Sequence, residues 1–201
     1  MIYVCGDSFA VPDPDYGAMW VDLLQEKVKY PVVNLAQVCA SNLVISQQVH
    51  SIVDAKFVIV LFSSSTRGQT VLDNQVVPFS WHSLDSTTPF SNKQLEILKQ
   101  YAGEFFDLPL AIYENQCIIE ATLQKLVDRG QPFRFDQGGF EHPSYGGSCK
   151  YFEQYLDWRS DICLWDWAQV RRHRPYYHIT DLTVHQRVAD YYSGIINEIY
   201  E

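Results

Sequence analysis

Residues 56–62, with the sequence KFVIVLF, contain the longest apolar run in the chain. A run of this length suits one strand, and a continuously apolar strand is typical of a parallel sheet that helices cover on both faces. Shorter β-type runs at residues 2–5, 31–35 and 133–135 predict three further strands. The sequence therefore predicts an α/β fold built on a parallel sheet.

The segments between these runs show the spacing of helices or end in helix signals. The predicted helices are residues 16–27, 41–53, 92–101, 110–129 and 181–200. Ser41 is a suitable N-cap for the second helix, and Gly130 begins a stop signal after the fourth. Residues 63–90 are predicted to be a polar loop. The alternation of strands and helices predicts one three-layer α/β/α domain over residues 1–201.

The composition indicates a folded chain with an acidic surface. Of its 201 residues, 47% are hydrophobic and 19% are charged, which excludes a disordered chain. The net charge of −9 argues against nucleic acids and membranes as partners, because both attract basic surfaces. The longest apolar run is far short of the roughly 20 residues of a membrane span. Residues 1–5 lack the charged start of a signal peptide, so we expect a cytoplasmic location.

The cysteines give no sign of a metal site or of a disulfide framework. They are odd in number and widely separated, and they are Cys5, Cys39, Cys117, Cys149 and Cys163. No CxxC pair or cysteine–histidine spacing suggests zinc. We therefore expect reduced thiols and no bound metal.

The tripeptide Gly6-Asp7-Ser8 directly follows the first predicted strand. Ligands of open α/β folds bind at the carboxyl ends of the strands, so Ser8 is expected at the edge where a site forms. Glycine permits a tight turn at this point. The alternative is an ordinary strand-to-helix turn in which Ser8 or Asp7 is an N-cap.

Three blocks of sequence, in order along the chain, carry a resemblance to a known family. They are residues 6–10 (GDSFA), 34–42 (NLAQVCASN) and 178–190 (HITDLTVHQRVAD). Together they resemble the SGNH (GDSL-type) hydrolase superfamily, whose members have a flavodoxin-like fold that carries a serine esterase site. The resemblance implies that Ser8 is the nucleophile and that His178, just before the last helix, is the general base.

The chain departs from the family pattern beside the predicted base. The family's aspartate, three residues before the histidine, is replaced by Pro175. We therefore expect a serine–histidine dyad, with a backbone carbonyl or another acid such as Asp166 orienting the imidazole. His185 is the alternative base, but its position inside the last helix favours a packing or surface role.

The resemblance places the oxyanion hole at the backbone N–H groups of Ser8 and Cys39. The family has a glycine where this chain has Cys39. The change is tolerable in chemical terms, because any residue except proline supplies a backbone N–H. Cys39 either narrows the pocket or is a small buried apolar residue.

The family's Gly-x-Asn-Asp block after the third strand is replaced by residues 63–67 (SSSTR). A hydroxyl of Ser65 or Thr66 is expected to replace the asparagine amide as a donor. Arg67 suits a carboxylate or phosphate on the substrate, and Asp7 completes the predicted substrate-binding set. The alternative for Arg67 is an ion-paired residue in a solvated loop.

These residues predict hydrolysis of a small acyl ester through an acyl-enzyme on Ser8, with no cofactor. By analogy with the family, the expected partner is a small-molecule or carbohydrate ester, such as an O-acetylated sugar. The alternative is a non-catalytic binding protein that keeps the fold, which Pro175 and the missing Asn-Asp block favour. A nucleotide-binding protein is not expected, because no glycine-rich phosphate-binding pattern follows a predicted strand. The sequence carries no signal for an oligomeric state.

Overall fold

The structure of the protein is a computed structural model, and it describes residues 1–12, 19–81, 84, 90–136, 153–160 and 182–200. Six strands lie in these residues: β1 (Ile2–Cys5), β2 (Val32–Asn34), β3 (Phe57–Leu61), β4 (Arg67–Leu72), β5 (Gln75–Ser80) and β6 (Phe133–Asp136). Five α-helices accompany them: α1 (Trp20–Lys27), α2 (Asn42–Ser51), α3 (Asn92–Phe105), α4 (Leu108–Asp128) and α5 (Leu182–Tyr200). A short 3₁₀ helix spans Glu153–Trp158.

Four of the strands form the parallel sheet that the sequence predicts. Their order is β2-β1-β3-β6, and each neighbouring pair is parallel. Ile2 in β1 is opposite both Val32 and Phe57, so β1 is an inner strand. Since β1 and β3 are the two inner strands, the loops at their carboxyl ends meet in the middle of one edge of the sheet.

Helices cover both faces of this sheet, as the apolar run of β3 predicts. Phe57, Ile59 and Leu61 pack with α1 and α5, whereas Val58 and Val60 pack with α2 and α4. Side chains alternate across a strand, so one apolar run supplies both halves of the core. None of the helices in the described residues is both long and apolar enough to cross a membrane.

The prediction of a polar loop over residues 63–90 is wrong, because β4 and β5 form an antiparallel hairpin there. Asp73 and Asn74 join the two strands in left-handed conformations, with φ of 49° and 62°. Aspartate and asparagine tolerate this conformation, and such a two-residue turn matches the twist of paired strands. Pro78 lies within β5, where it is tolerated because both strands of a two-stranded sheet are edge strands. The hairpin packs with α3 and does not join the parallel sheet.

The predicted helices are present, with ends that differ by a few residues. Ser41 caps α2 as predicted, because its hydroxyl accepts the backbone N–H three residues later at 3.3 Å. Gly130, with φ of 59°, ends α4 as predicted, and its N–H bonds to a carbonyl of the last turn. The junction between α3 and α4 lies at residues 106–107, because Asp107 caps α4 through a hydrogen bond of 2.7 Å.

The carboxyl end of β1 is held to α2 by two hydrogen bonds between Gly6 and Gln48. The Gly6 N–H donates to Gln48 Oε1 at 2.8 Å, and Gln48 Nε2 donates to the Gly6 carbonyl at 3.3 Å. A Cβ at position 6 would lie 3.0 Å from the Leu61 Cβ, so glycine allows β1 and β3 to approach this closely. The buried Gln48 side chain thus positions the residue at which the chain leaves the sheet.

Replacing Gln48 with leucine is expected to lower the free energy of unfolding by about 1–3 kcal/mol, because the buried Gly6 N–H loses its partner. Urea denaturation followed by circular dichroism measures this change. Gln47→Leu is the matched control, since Gln47 is an exposed residue of the same helix. Its effect is expected to stay within about 0.5 kcal/mol. Equal losses in the two variants would show that the Gly6 contact does not stabilise the fold.

Candidate active site

Ser8 lies in the loop that directly follows β1, at the carboxyl edge of the sheet. It is 3% exposed, and its hydroxyl makes no hydrogen bond to another described residue. The N-cap of α1 is Met19, so the alternative in which Ser8 or Asp7 caps this helix does not hold. Within the described part of the chain, the Ser8 hydroxyl is therefore not engaged by another side chain or backbone group.

Asp7, next to Ser8, is completely buried and accepts a hydrogen bond on each carboxylate oxygen. Oδ2 accepts the Ser63 hydroxyl at 2.9 Å, and Oδ1 accepts the Phe9 N–H at 3.1 Å. Burial raises the pKa of Asp7 to about 6, although the positive charge of Arg67 acts in the opposite direction. The charge of Arg67 thus acts on Asp7, and both residues belong to the predicted substrate-binding set.

Two buried asparagines extend this contact from the end of β3 to α2 and α4. The Ser63 N–H donates to Asn42 Oδ1 at 2.7 Å, and Asn42 Nδ2 donates to the Ser63 carbonyl at 2.9 Å. Asn42 Nδ2 also donates to Asn115 Oδ1 at 2.8 Å. Asn42 ends the second block of the family resemblance, but the sequence predicted no role for it or for Asn115. The available signal was a polar residue at a core-facing helix position, which is recognisable only when the inward face of each helix is known.

The loop after β2 lies against the Ser8 loop. Asn34 Nδ2 donates to the Ala10 carbonyl at 2.6 Å, and the Gln37 N–H donates to the Gly6 carbonyl at 3.1 Å. Cys39 in this loop has a φ of 61°, in the left-handed region that favours glycine. The resemblance assigns a family glycine to this position, and the backbone here has a conformation that glycine adopts readily.

Ser65 and Thr66, the two predicted hydroxyl donors, have different surroundings. Thr66 bonds to the Ser64 hydroxyl through its own hydroxyl at 2.9 Å and through its N–H at 3.2 Å. Ser65 is 1% exposed, and its hydroxyl has no hydrogen-bond partner within the described residues. Ser65 and Arg67 also line a cavity of about 260 Å³. Of the two candidates, Ser65 is the one with an unused donor.

The last helix, α5, begins beside the Ser8 loop. Nδ1 of the buried His185 accepts the Trp20 N–H at 3.2 Å, and Trp20 Nε1 donates to the Phe9 carbonyl at 2.8 Å. Trp20 therefore connects the first turn of α5 with the residue after Ser8. As an acceptor at Nδ1, His185 takes part in the packing of α5 on α1, in line with its position inside the helix.

His178 and Asp166, the predicted base and its candidate orienting acid, lie outside the described residues. Within the described part, no three His, Cys, Asp or Glu side chains are grouped so as to hold a metal ion. Comparisons of the chain with protein-family models, with curated proteins and with solved structures find no match. A proposal for the function therefore rests on the residues of the site and their chemistry.

Replacing Asp7 with asparagine is expected to remove a pH-dependent loss of stability. The folded-state pKa of about 6 lies above the ordinary value of 3.8, so the folded protein holds a proton that the unfolded chain releases between these values. Stability therefore falls as the pH rises from about 4 to 6, by about 3 kcal/mol in all, and then stays at the lower value. The free energy of unfolding of Asp7→Asn, measured relative to that of the wild type, should therefore rise by about 3 kcal/mol between pH 4 and pH 8.

The measurement is the free energy of unfolding by urea at several pH values. Asp54→Asn, at an exposed aspartate, is the matched control and should follow the wild type. A stability difference between Asp7→Asn and the wild type that does not change with pH would contradict the raised pKa.

Replacing Cys39 with valine is expected to lower the free energy of unfolding by about 1–2 kcal/mol, because a β-branched residue is strained at positive φ. Cys39→Gly should stay within about 1 kcal/mol of the wild type, since glycine relieves the strain but gains more entropy on unfolding. Thermal and urea denaturation measure both. Cys117→Val, on the exposed side of α4, is the control for the change in side chain. A Cys39→Val variant as stable as this control would rule out a left-handed residue here.

Proposed function

We propose that the chain is an SGNH-type serine hydrolase with a flavodoxin-like, three-layer α/β/α fold, and that it cleaves short acyl esters at Ser8. The observation that carries the proposal is the position of Ser8 at the carboxyl edge of the sheet, where its hydroxyl bonds to no other described residue. The other buried serines of the described residues, apart from Ser65, are hydrogen-bonded. Ser65 has a buried hydroxyl without a partner in the described residues, which is uncommon inside proteins, so a ligand is expected near the turn that follows β3.

The order of the strands supports a ligand beside Ser8. In open parallel sheets, ligands bind outside the carboxyl ends of the strands, at the point where the strand order reverses. In the order β2-β1-β3-β6 this point lies between β1 and β3. Ser8 follows β1, and Ser63 follows β3. The Ser63 hydroxyl donates to Asp7, the residue before Ser8.

In the proposed reaction, His178 takes the proton of the Ser8 hydroxyl as the oxygen attacks the ester carbonyl carbon. The N–H groups of Ser8 and Cys39 stabilise the tetrahedral oxyanion, with the Ser65 hydroxyl as a third donor. His178 then gives the proton to the leaving alcohol, and the acyl group stays on Ser8. A water molecule, deprotonated by His178, attacks this acyl-enzyme and releases the carboxylic acid and the free serine.

The position of α5 supports His178 as the base. This helix begins four residues after His178, and its first turn is joined through Trp20 to the loop of Ser8. The alternative base, His185, already accepts a backbone N–H at Nδ1. Because Pro175 replaces the usual aspartate, a backbone carbonyl or Asp166 is proposed to orient the imidazole.

Replacing Ser8 with alanine is expected to lower kcat/KM for nitrophenyl acetate by at least about 10³-fold, because no other group forms the acyl-enzyme. Wild-type protein should also be labelled at Ser8 by a fluorophosphonate, as shown by mass spectrometry. His178→Asn should lose both activity and labelling to a similar extent, since it removes the base that activates the serine.

Ser193→Ala is the matched control, because Ser193 is a buried serine of α5 that bonds only within its own helix. It should retain the activity of the wild type, and thermal unfolding should show that every variant is folded. Equal esterase rates for the wild type and Ser8→Ala would overturn the proposal. A folded wild type with neither activity nor labelling would favour the alternative, a binding protein that keeps this fold.

A further inference from the structure

The helix α3 has two apolar faces, and only one of them is buried. Leu95 and Leu98 pack with the β4–β5 hairpin. On another side of the helix, Ile97, Tyr101 and Phe105 form a second apolar stripe, and they are 56%, 50% and 70% exposed. A helix that packs on one side needs only one apolar stripe, so the second stripe indicates a further partner.

We propose that the exposed stripe of α3 binds the same stripe of a second copy of the chain, in a two-fold symmetric dimer whose α3 helices are antiparallel. Ile97, Tyr101 and Phe105 are spaced four residues apart, so they form one ridge of the kind that packs into the groove of another helix. The inference is independent of the proposed function, because none of the residues proposed for the reaction lies on α3.

Exposed apolar side chains continue from this stripe into the start of α4. The large apolar residues that are exposed between positions 97 and 113 are Ile97, Tyr101, Phe105, Leu108, Leu110 and Tyr113. Tyr101, Phe105 and Leu110 border the same cavity, so the group is contiguous across the junction of the two helices. Single exposed apolar residues are ordinary in proteins, whereas a contiguous group marks an interaction surface.

Two opposite charges flank the stripe and identify a second copy as its partner. Lys93 and Glu104 are eleven positions apart, so they lie within about 20° of each other around the helix and about 16 Å apart along it. Both are exposed, and neither forms an ion pair within the described residues. In an antiparallel pair, Lys93 of each copy meets Glu104 of the other, whereas a parallel pair would bring like charges together.

One two-fold axis satisfies the apolar and the charged contacts together. Position 99 is midway between Ile97 and Tyr101, and the midpoint of Lys93 and Glu104 is only about half a residue away, which is less than about 1 Å of helix rise. An axis at this position places Ile97 opposite Tyr101 of the second copy, with a Lys93–Glu104 pair at each end. The stripe is therefore complementary to itself.

The size of the contact predicts a weak dimer. Glu96 and Lys99 lie about 100° and 160° around the helix from Ile97, so these charged residues point away from the contact. The 14 residues of α3 span about 21 Å, so the contact is smaller than the roughly 800 Å² per partner of a standard interface. We therefore expect a dissociation constant in the micromolar range.

Sedimentation velocity of the full chain, at micromolar to near-millimolar concentrations, tests the dimer. The wild type is expected to pass from monomer to dimer over this range. Ile97→Glu should weaken the dimer at least about tenfold, because a charge is then placed against the tyrosine of the second copy. Ile199→Glu is the matched control, at an exposed isoleucine of α5, and should dimerise like the wild type. Thermal unfolding should show that both variants are folded.

Charge reversal tests the antiparallel arrangement. Lys93→Glu and Glu104→Lys should each weaken the dimer about five- to thirtyfold, because each change replaces two attractions with two repulsions. The double variant with both changes should regain the dissociation constant of the wild type. Such a rescue is expected only when the two residues face each other across the interface.

A wild type that stays monomeric at every concentration would overturn the inference, and so would an Ile97→Glu variant that dimerises as tightly as Ile199→Glu. Charge reversals that leave the dimer unchanged, or a double variant without rescue, would rule out the antiparallel arrangement. A monomer that binds phosphatidylcholine vesicles through Ile97 would assign the stripe to a membrane surface instead.

Discussion

The hydrogen bond between Asp7 and Ser63 joins the carboxyl ends of the two inner strands, and the candidate site is built around it. A buried carboxylate is tolerated near neutral pH only when other groups stabilise its charge. Here the charge of Arg67, the Phe9 N–H and the Ser63 hydroxyl stabilise it in part, and burial still raises the pKa of Asp7 to about 6. The loops after β1 and β3 are thereby coupled. The residues on either side of Ser8, Asp7 and Phe9, are hydrogen-bonded to each other. The proposed role of Ser8 as a nucleophile requires support of this kind.

Two further contacts bring other segments to the same edge. On one face of the sheet, Asn42 and Asn115 connect the end of β3 with α2 and α4. On the other face, Trp20 connects the loop of Ser8 with the first turn of α5. Segments from both ends of the chain therefore meet where the strand order reverses, and the proposed chemistry needs both.

The hairpin of β4 and β5 makes this edge different from a bare parallel sheet. It begins at Arg67, directly after the serine-rich turn, and packs with α3 through its own small apolar cluster. The cavity between the hairpin and the helices thus combines an unpaired hydroxyl from the turn with aromatic rings from the hairpin and α3.

Features that depend on a few neighbouring residues were determined by the sequence itself. The apolar run of β3, the cap at Ser41 and the stop at Gly130 each follow from local backbone preference and burial. The motif at Ser8 also predicts its place at the edge of the sheet. The partners of these residues were decided only by the tertiary structure: Asn42 and Asn115 are 73 positions apart, and Gly6 and Gln48 are 42 apart. Such contacts depend on how the helices pack on the sheet, and no short pattern of residues encodes that packing.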